Sequence, residues 1–295
     1  MKVGHLFCFG LGYSCARFGV RLKEMGWKVS GTVRTEEKRK ILLEKEFGDV
    51  WLFSDNESIS DPIKAFSGVT HVVCSIPPGL DGDPALLRHR GDLQNAADLK
   101  WVGYLSTPAV YGDRGGALVS EVDAPNPGSL RGRRRLSAEQ GWIAAFSESV
   151  VDVQIFRLSG IYGPGRNALD QLRNGRARII EKPGQVFNRI HVDDIGAVLI
   201  ASMSRPRHGG IYNVADHEAS ASGDVIKFAA SLLEVDPPRP IPFRDADLSQ
   251  MARSFYSECK RLDTSRLRDE LGVNLQYPNY REGLSEIFKN SKTFF

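Results

Sequence analysis

The stretch from Leu6 to Gly26 limits the fold more than any other part of the chain. Leu6-Phe7-Cys8-Phe9 is a short apolar run with the length of a buried strand. Gly10-Leu11-Gly12 follows at once, and Ala16, Phe18, Val20 and Leu22 then fall within a helix-length segment ending near Gly26. Strand, glycine turn and helix in this order open a βαβ unit of the kind that binds dinucleotides. Gly10 suits the tight turn. Gly12 lets bare backbone approach a pyrophosphate at the helix N-terminus, where free N–H groups and the dipole favour negative charge. Leu11, Tyr13 and Ser14 complete the turn and are expected to border the cofactor with it. Cys15 stands where the fingerprint has a third Gly or Ala, and its small side chain still permits close helix–strand packing.

A chain of 295 residues provides one or two domains and a substantial core. The 39 basic and 36 acidic side chains leave a formal charge of +3, which makes no electrostatic case for nucleic acid or membrane partners. Cys8, Cys15, Cys74 and Cys259 show neither CxxC nor Cys/His ligand spacing. No metal site is therefore expected, and a reduced, cytoplasmic protein is. The N-terminal residues lack the pattern of a signal peptide, no window is apolar enough to span a bilayer, and no internal repeat is visible.

Trp27 to Val33 reads as the second strand. Its tip, Gly31-Thr32-Val33-Arg34-Thr35, carries no acid to accept from an adenosine ribose 2′-hydroxyl. Arg34 is instead a candidate clamp for a 2′-phosphate, assisted by Lys38, and selects NADP over NAD. A charged helix is predicted over Arg34 to Phe47 and a third strand over Asp49 to Phe53. Asp55 follows as an adenine-edge contact or a loop cap. A short helix over Ile59 to Phe66 leads to a strand over Val69 to Ile76. That strand ends in Ser75-Ile76-Pro77-Pro78-Gly79, so Ser75 and Pro77 are expected beside the cofactor, at the carboxyl end of a parallel strand. A helix over Pro84 to Leu99 and a strand over Trp101 to Leu105 come next.

Ser106-Thr107-Pro108-Ala109-Val110-Tyr111-Gly112 leaves that strand, and three more segments belong with it: Phe156-Arg157-Leu158-Ser159-Gly160-Ile161-Tyr162-Gly163-Pro164-Gly165, Asn188-Arg189-Ile190-His191-Val192-Asp193-Asp194-Ile195 and Gly210-Ile211-Tyr212-Asn213-Val214-Ala215. In this order, over nearly the whole chain, they resemble the extended short-chain dehydrogenase/reductase superfamily, in its NAD(P)-dependent epimerase/dehydratase branch. The resemblance implies a Rossmann-type, doubly wound parallel sheet with a smaller mixed C-terminal lobe. It places the dinucleotide-binding part in 1–165, with core strands continuing to about 215, and most of the substrate lobe in 166–295, interleaved with it.

The resemblance also implies a Ser/Thr, a Tyr and a Lys for proton work. Thr107 matches the Ser/Thr. Aligning Leu136-Ser137-Ala138-Glu139 with the family pattern puts Arg131 where the Tyr belongs and Arg135 where the Lys belongs. The chain thus resembles the superfamily's atypical members, which lack the Tyr-x-x-x-Lys pair. A guanidinium stays protonated at physiological pH and cannot cycle a proton as a phenol does. Arg135 keeps the ability to donate to a cofactor ribose, and Arg131 to bind a carboxylate or phosphate. Tyr111 is the first candidate for a replacement acid, followed by Tyr162 and His191. Tyr162, Arg189 and His191 are expected to line the substrate pocket, with a structural ion pair from Arg189 to Asp193 or Asp194 as the alternative. Asp193 is expected to cap the helix over Ile195 to Met203. Helices are also predicted over Asn167 to Arg178, Ala221 to Glu234, Asp263 to Leu271 and Tyr280 to Phe288.

The expected function is that of an NADP-binding oxidoreductase or epimerase/dehydratase-like protein acting on a small polar, anionic substrate. The alternative is a catalytically silent NADP-binding sensor. A homodimer is compatible with the superfamily but does not follow from these residues.

Overall fold

The computed structural model describes residues 2–292. The first half of the chain runs β1 (His5–Phe9), α1 (Tyr13–Glu24), β2 (Lys28–Val33), α2 (Glu36–Glu44), β3 (Val50–Leu52), α3 (Pro62–Phe66), β4 (His71–Cys74), α4 (Pro84–Gln94), β5 (Trp101–Ser106), β6 (Leu118–Val119) and α5 (Leu130–Ala145). The second half runs β7 (Asp152–Leu158), β8 (Gly160–Tyr162), α6 (Ala168–Arg173), β9 (Ile180–Glu181), β10 (Arg189–His191), α7 (Val192–Ser204), β11 (Gly210–Val214), α8 (Ser222–Leu233), β12 (Ile241–Pro242), α9 (Gln250–Tyr256), β13 (Arg261–Leu262), α10 (Ser265–Asp269) and α11 (Tyr280–Lys292).

Seven strands form one parallel sheet in the order β11-β7-β5-β4-β1-β2-β3. It is a Rossmann-like, doubly wound sheet, and its order reverses on either side of β1, where such sheets open a crevice at their carboxyl ends. Every residue of β1 is buried, yet the pleat still divides them by period two. Leu6 and Cys8 join a core with α1 and α7 through Phe18, Leu22, Ile195, Val198 and Leu199. Phe7 and Phe9 join the opposite core with α3, α4 and α5 through Phe66, Leu93, Ala138 and Trp142. A third core joins α6, α8 and α11 through Leu169, Val225, Ile226, Tyr280 and Leu284.

Helix boundaries differ from the sequence reading where side chains cap the ends. Arg34 stays outside α2 because Thr35 is its N-cap, its side chain accepting from the Lys38 N–H. The helix expected over Asn167 to Arg178 is only Ala168–Arg173, capped by Asn167 and stopped at the Asn174-Gly175 turn. Asp193 is not the cap of α7. His191 holds that position, its Nδ1 accepting from the Asp193 N–H at 3.3 Å, while Asp193 lies in the first turn and pairs with Arg17 of α1. Among the described residues no helix is long and apolar enough to cross a membrane.

Candidate functional site

The carboxyl ends of β1, β4, β5 and β7 face a cleft of about 1140 Å³, closed on the far side by the third core. Gly10 turns the chain at its entrance with φ +90°, and a Cβ there would lie 2.8 Å from Ser75 Oγ and 2.9 Å from Ile76 Cγ2. The turn is pinned from both neighbouring strands. Gly10 N–H donates to Thr32 Oγ1 at 2.9 Å, Leu11 N–H to the Thr32 carbonyl at 2.8 Å, and Ser75 Oγ to the Gly10 carbonyl at 2.8 Å. Gly12 is the N-cap of α1 and offers no side chain to the free N–H groups of the first turn. A Cβ on Gly12 would meet nothing within 4 Å, and Gly12, Tyr13 and Ser14 line the cleft. Open space beside unsatisfied helix N–H groups fits a pyrophosphate. Leu11 and Cys15 contribute differently. Both side chains are buried in the core under the turn, and the Cys15 thiol, in a hydrogen bond with Cys8, sits below its ordinary pKa instead of projecting into the cleft.

Around the rest of this turn the sequence expectations divide. Ser75 lines the cleft, but Pro77 is exposed outside it. Arg34 is exposed at the tip of β2 and, among the described residues, forms no ion pair or hydrogen bond, so its guanidinium is free. Asp55 lies in a turn and its carbonyl accepts from Arg88.

The β5 end and α5 form one wall. Ser129 caps α5 by accepting from the Gly132 N–H at 3.1 Å. The helix buries Gly132, Arg135, Ala138, Glu139, Trp142 and Ala145, a helical stripe that includes two charged residues. Arg131 and Arg135 both face the cleft. Arg135 is buried, and its Nη1 donates to the Leu105 carbonyl at 2.7 Å and to Tyr104 Oη at 3.0 Å. Arg131 is open to the cleft with its guanidinium 5.7 Å from the Phe255 ring of α9. The crowding around it and the Arg135 charge lower its pKa. Thr107 lines the cleft and caps the 3₁₀ turn Pro108–Tyr111, its Oγ1 accepting from the Ala109 N–H.

Tyr111 is a correction. It is wholly buried, its Oη donates to Asn213 Oδ1 at 2.8 Å, and its ring lies 4.6 Å under the Arg157 guanidinium. Burial raises its pKa, and it does not line the cleft, because the turn capped by Thr107 points it into the sheet. His191 is a second correction. It is buried behind Tyr162, ring centroids 5.2 Å apart, with burial lowering its pKa to about 4, and it does not line the cleft. Tyr162 does line it, although its hydroxyl donates to the Asn279 carbonyl at 3.4 Å and burial raises its pKa. Arg189 lines the cleft too, but it pairs with neither Asp193 nor Asp194. Its Nη1 donates to the Phe187 and Ser220 carbonyls and to Ser220 Oγ, and burial lowers its pKa.

The structure adds residues that sequence reasoning passes over. Ser106, next to Thr107, hydrogen-bonds buried Glu139, which holds Arg157 in an ion pair of 2.7 Å. Phe255 reaches the cleft from α9, and Glu258 and Lys260 from the segment between α9 and β13. In all, six arginines and one lysine line the cleft against two carboxylates, Asp170 and Glu258. Those two are engaged, Glu258 by Lys260 at 2.7 Å and Asp170 by Asn167 at 2.6 Å. The cleft therefore carries a surplus of positive charge, which favours an anionic ligand.

No protein-family model matches the chain. It is similar to a solved structure described as a functionally unknown conserved protein from Silicibacter pomeroyi DSS, at 43% identity and a TM-score of 0.88, over 98% of this chain and 100% of that one. Protein YeeZ of Escherichia coli K12 is 27% identical over 277 residues, covering 92% of this chain and 95% of that protein. The UDP-glucuronic acid 4-epimerase of Bacillus cereus, solved with UDP-glucuronic acid and NAD, superimposes with a TM-score of 0.76 at 18% identity, over 99% of this chain and 100% of that one. The last likeness is one of fold.

Proposed function

We propose that this chain, which belongs to the same family as the Silicibacter pomeroyi protein, is an NADP-binding oxidoreductase of the epimerase/dehydratase type that acts on a small polar, anionic substrate. The observation that carries this reading is the side-chain-free cradle at Gly12, opening at the switch point of the sheet into a cleft rich in cations. The Bacillus epimerase of the same fold binds NAD and a nucleotide sugar, which supports a nicotinamide dinucleotide and a negatively charged substrate here.

Gly10, Leu11, Gly12, Tyr13, Ser14 and Cys15 would form the pyrophosphate turn, and Ser75 would stand beside it. Arg34 would meet a 2′-phosphate, since it is free and no acid occupies the strand tip. Bound there, the nicotinamide supplies hydride chemistry. Arg135 holds the cofactor side of the wall, donating to a ribose hydroxyl. Thr107 and Ser106 orient a substrate oxygen, with Ser106 held in place by the Glu139 carboxylate. A second reading, a silent NADP sensor, is favoured by one observation: the α5 positions facing the cleft carry guanidinium groups, which do not exchange protons at neutral pH.

Titration of the purified protein with NADPH and NADH tests the cofactor reading. NADPH is expected to bind about ten-fold or more tightly than NADH, with Arg34→Ala removing that preference. Tighter binding of NADH overturns the 2′-phosphate assignment, and binding of neither overturns the function. Turnover in a substrate screen, abolished by Ser106→Ala with Thr107→Ala, separates the enzyme from the sensor.

A further inference from the structure

We propose that Arg131, backed by the charge of Arg135, forms a subsite for a terminal oxyanion of the substrate, a carboxylate or phosphate, bound at the β5 end of the cleft beside Thr107. This rests on the function proposed above and names the group by which the substrate is recognised.

The two side chains are four residues apart on α5, hence one turn apart on one face, and both line the cleft. Among the described residues neither forms an ion pair. Among the described residues Arg131 makes no hydrogen bond or ion pair, and its guanidinium lies 5.7 Å from the Phe255 ring. Arg135 is 8% exposed, yet it spends only Nη1, on two neutral oxygens, and its Nε has no partner. Asp83 feels the Arg135 charge, but its Oδ1 caps α4 through the Ala85 and Leu86 N–H groups and it forms no ion pair with Arg135. Asp170 and Glu258 are engaged elsewhere in the cleft.

Two neighbouring guanidinium groups without a counter-charge repel each other, and a bound oxyanion removes that repulsion. The planar fork of Arg131 suits a carboxylate or phosphate, whose oxygens accept paired hydrogen bonds. The aromatic face of Phe255 keeps water from one side of Arg131, which strengthens its charge towards a ligand. Arg135 is tied to the Leu105 carbonyl, one residue before Ser106, so the oxyanion lies next to the hydroxyls that would orient the reacting oxygen. The substrate is thereby assigned to acids whose anionic group is close to the reacting carbon.

Calorimetric titration of the full chain with oxalate and with inorganic phosphate, at constant ionic strength, provides the test. The intact protein is expected to bind at least one of them. Arg131→Gln should weaken that binding about ten-fold or more, the value of a charged hydrogen bond, and Arg131→Lys should restore part of it. Arg133→Gln should leave it unchanged, because Arg133 lies on the same helix but outside the cleft and donates to the Gly128 carbonyl. Tighter oxalate binding identifies a carboxylic acid as the source, and tighter phosphate binding a phosphate ester. The subsite is overturned if neither anion binds, if Arg131→Gln binds them as the intact protein does, or if NADPH displaces them competitively, which would place them in the cofactor cradle. NADPH affinity unchanged in Arg131→Gln keeps this result separate from the cofactor reading, whose own failure is absence of dinucleotide binding.

Discussion

At the scale of single residues, the two glycines of the first turn serve different ends. Gly10 is required by the fold: its φ of +90° and the Ser75 and Ile76 atoms under 3 Å from a Cβ leave no room for a side chain. Gly12 has extended backbone, φ −83° and ψ −162°, and open space around it, so folding places no demand on it. Gly10→Ala is expected to cost about 2 kcal/mol through backbone strain and contact, read as a lower denaturation midpoint. Gly12→Ser should change stability by no more than about 0.5 kcal/mol, since serine is a good N-cap, yet weaken dinucleotide binding sharply by filling the cradle. If Gly12→Ser binds NADPH normally, the pyrophosphate lies elsewhere. Both glycines are legible in the sequence, because a strand followed by GxG leaves few alternatives. Tyr111 is not. Its distance from Thr107 along the chain says nothing about the 3₁₀ turn that points it into the sheet, and that turn is fixed by contacts with Arg157 and Asn213 from remote strands.

At the scale of elements, the alternation of strands and helices can be read because the central strands are apolar runs and most helices begin at a polar cap, as α2 does at Thr35, α4 at Asp83 and α5 at Ser129. What cannot be read is where a polar side chain spends its hydrogen bonds. In α5 the buried stripe includes Arg135 and Glu139, so periodicity alone makes the arginine run resemble a solvated face. In α7 the sequence suggests capping or Arg189 as the role of the acids, but Asp194 turns inward. Its Oδ1 accepts from the Gln276 N–H at 2.7 Å and its Oδ2 from the Tyr277 N–H at 3.0 Å. This carboxylate ties the segment before α11 to the body of the molecule and sets Tyr277 against His191, ring centroids 4.0 Å apart. Asp194→Ala leaves two N–H groups unpaired and is expected to cost about 3 kcal/mol, read as a lower urea midpoint at unchanged m-value. A loss below about 0.5 kcal/mol would show that water replaces the carboxylate.

At the scale of the whole molecule, buried histidines and buried acids act on the pH dependence of stability with opposite signs. Burial lowers His5, His71 and His191 to about 4 from the ordinary 6.5. The unfolded chain takes up protons at these sites from about pH 6.5 downward and the folded protein only near 4, so their contribution is present above 6.5 and lost as pH falls to 4. Asp216 has the opposite sign. Burial raises it from 3.8 to about 7, and its Oδ2 has no partner, so the folded protein holds a proton that the unfolded chain has released. Its contribution is fully present below 3.8 and is lost as pH rises to 7. Asp83, Glu121 and Asp194, whose pKa values burial also raises, act in the sense of Asp216, while the three histidines carry the loss between pH 6.5 and 4, where a tenfold change in proton affinity on folding is worth about 1.4 kcal/mol. Asp216→Asn removes the Asp216 part of the opposing contribution. Relative to the intact protein, the variant should gain stability as pH rises from 4 to 7 and hold that gain above 7, which makes its acid-side loss steeper. Urea midpoints measured from pH 4 to pH 8 check both signs: a level profile of the Asp216→Asn variant would mean that the histidines contribute no more than the remaining acids, and parallel profiles that Asp216 is ionised throughout.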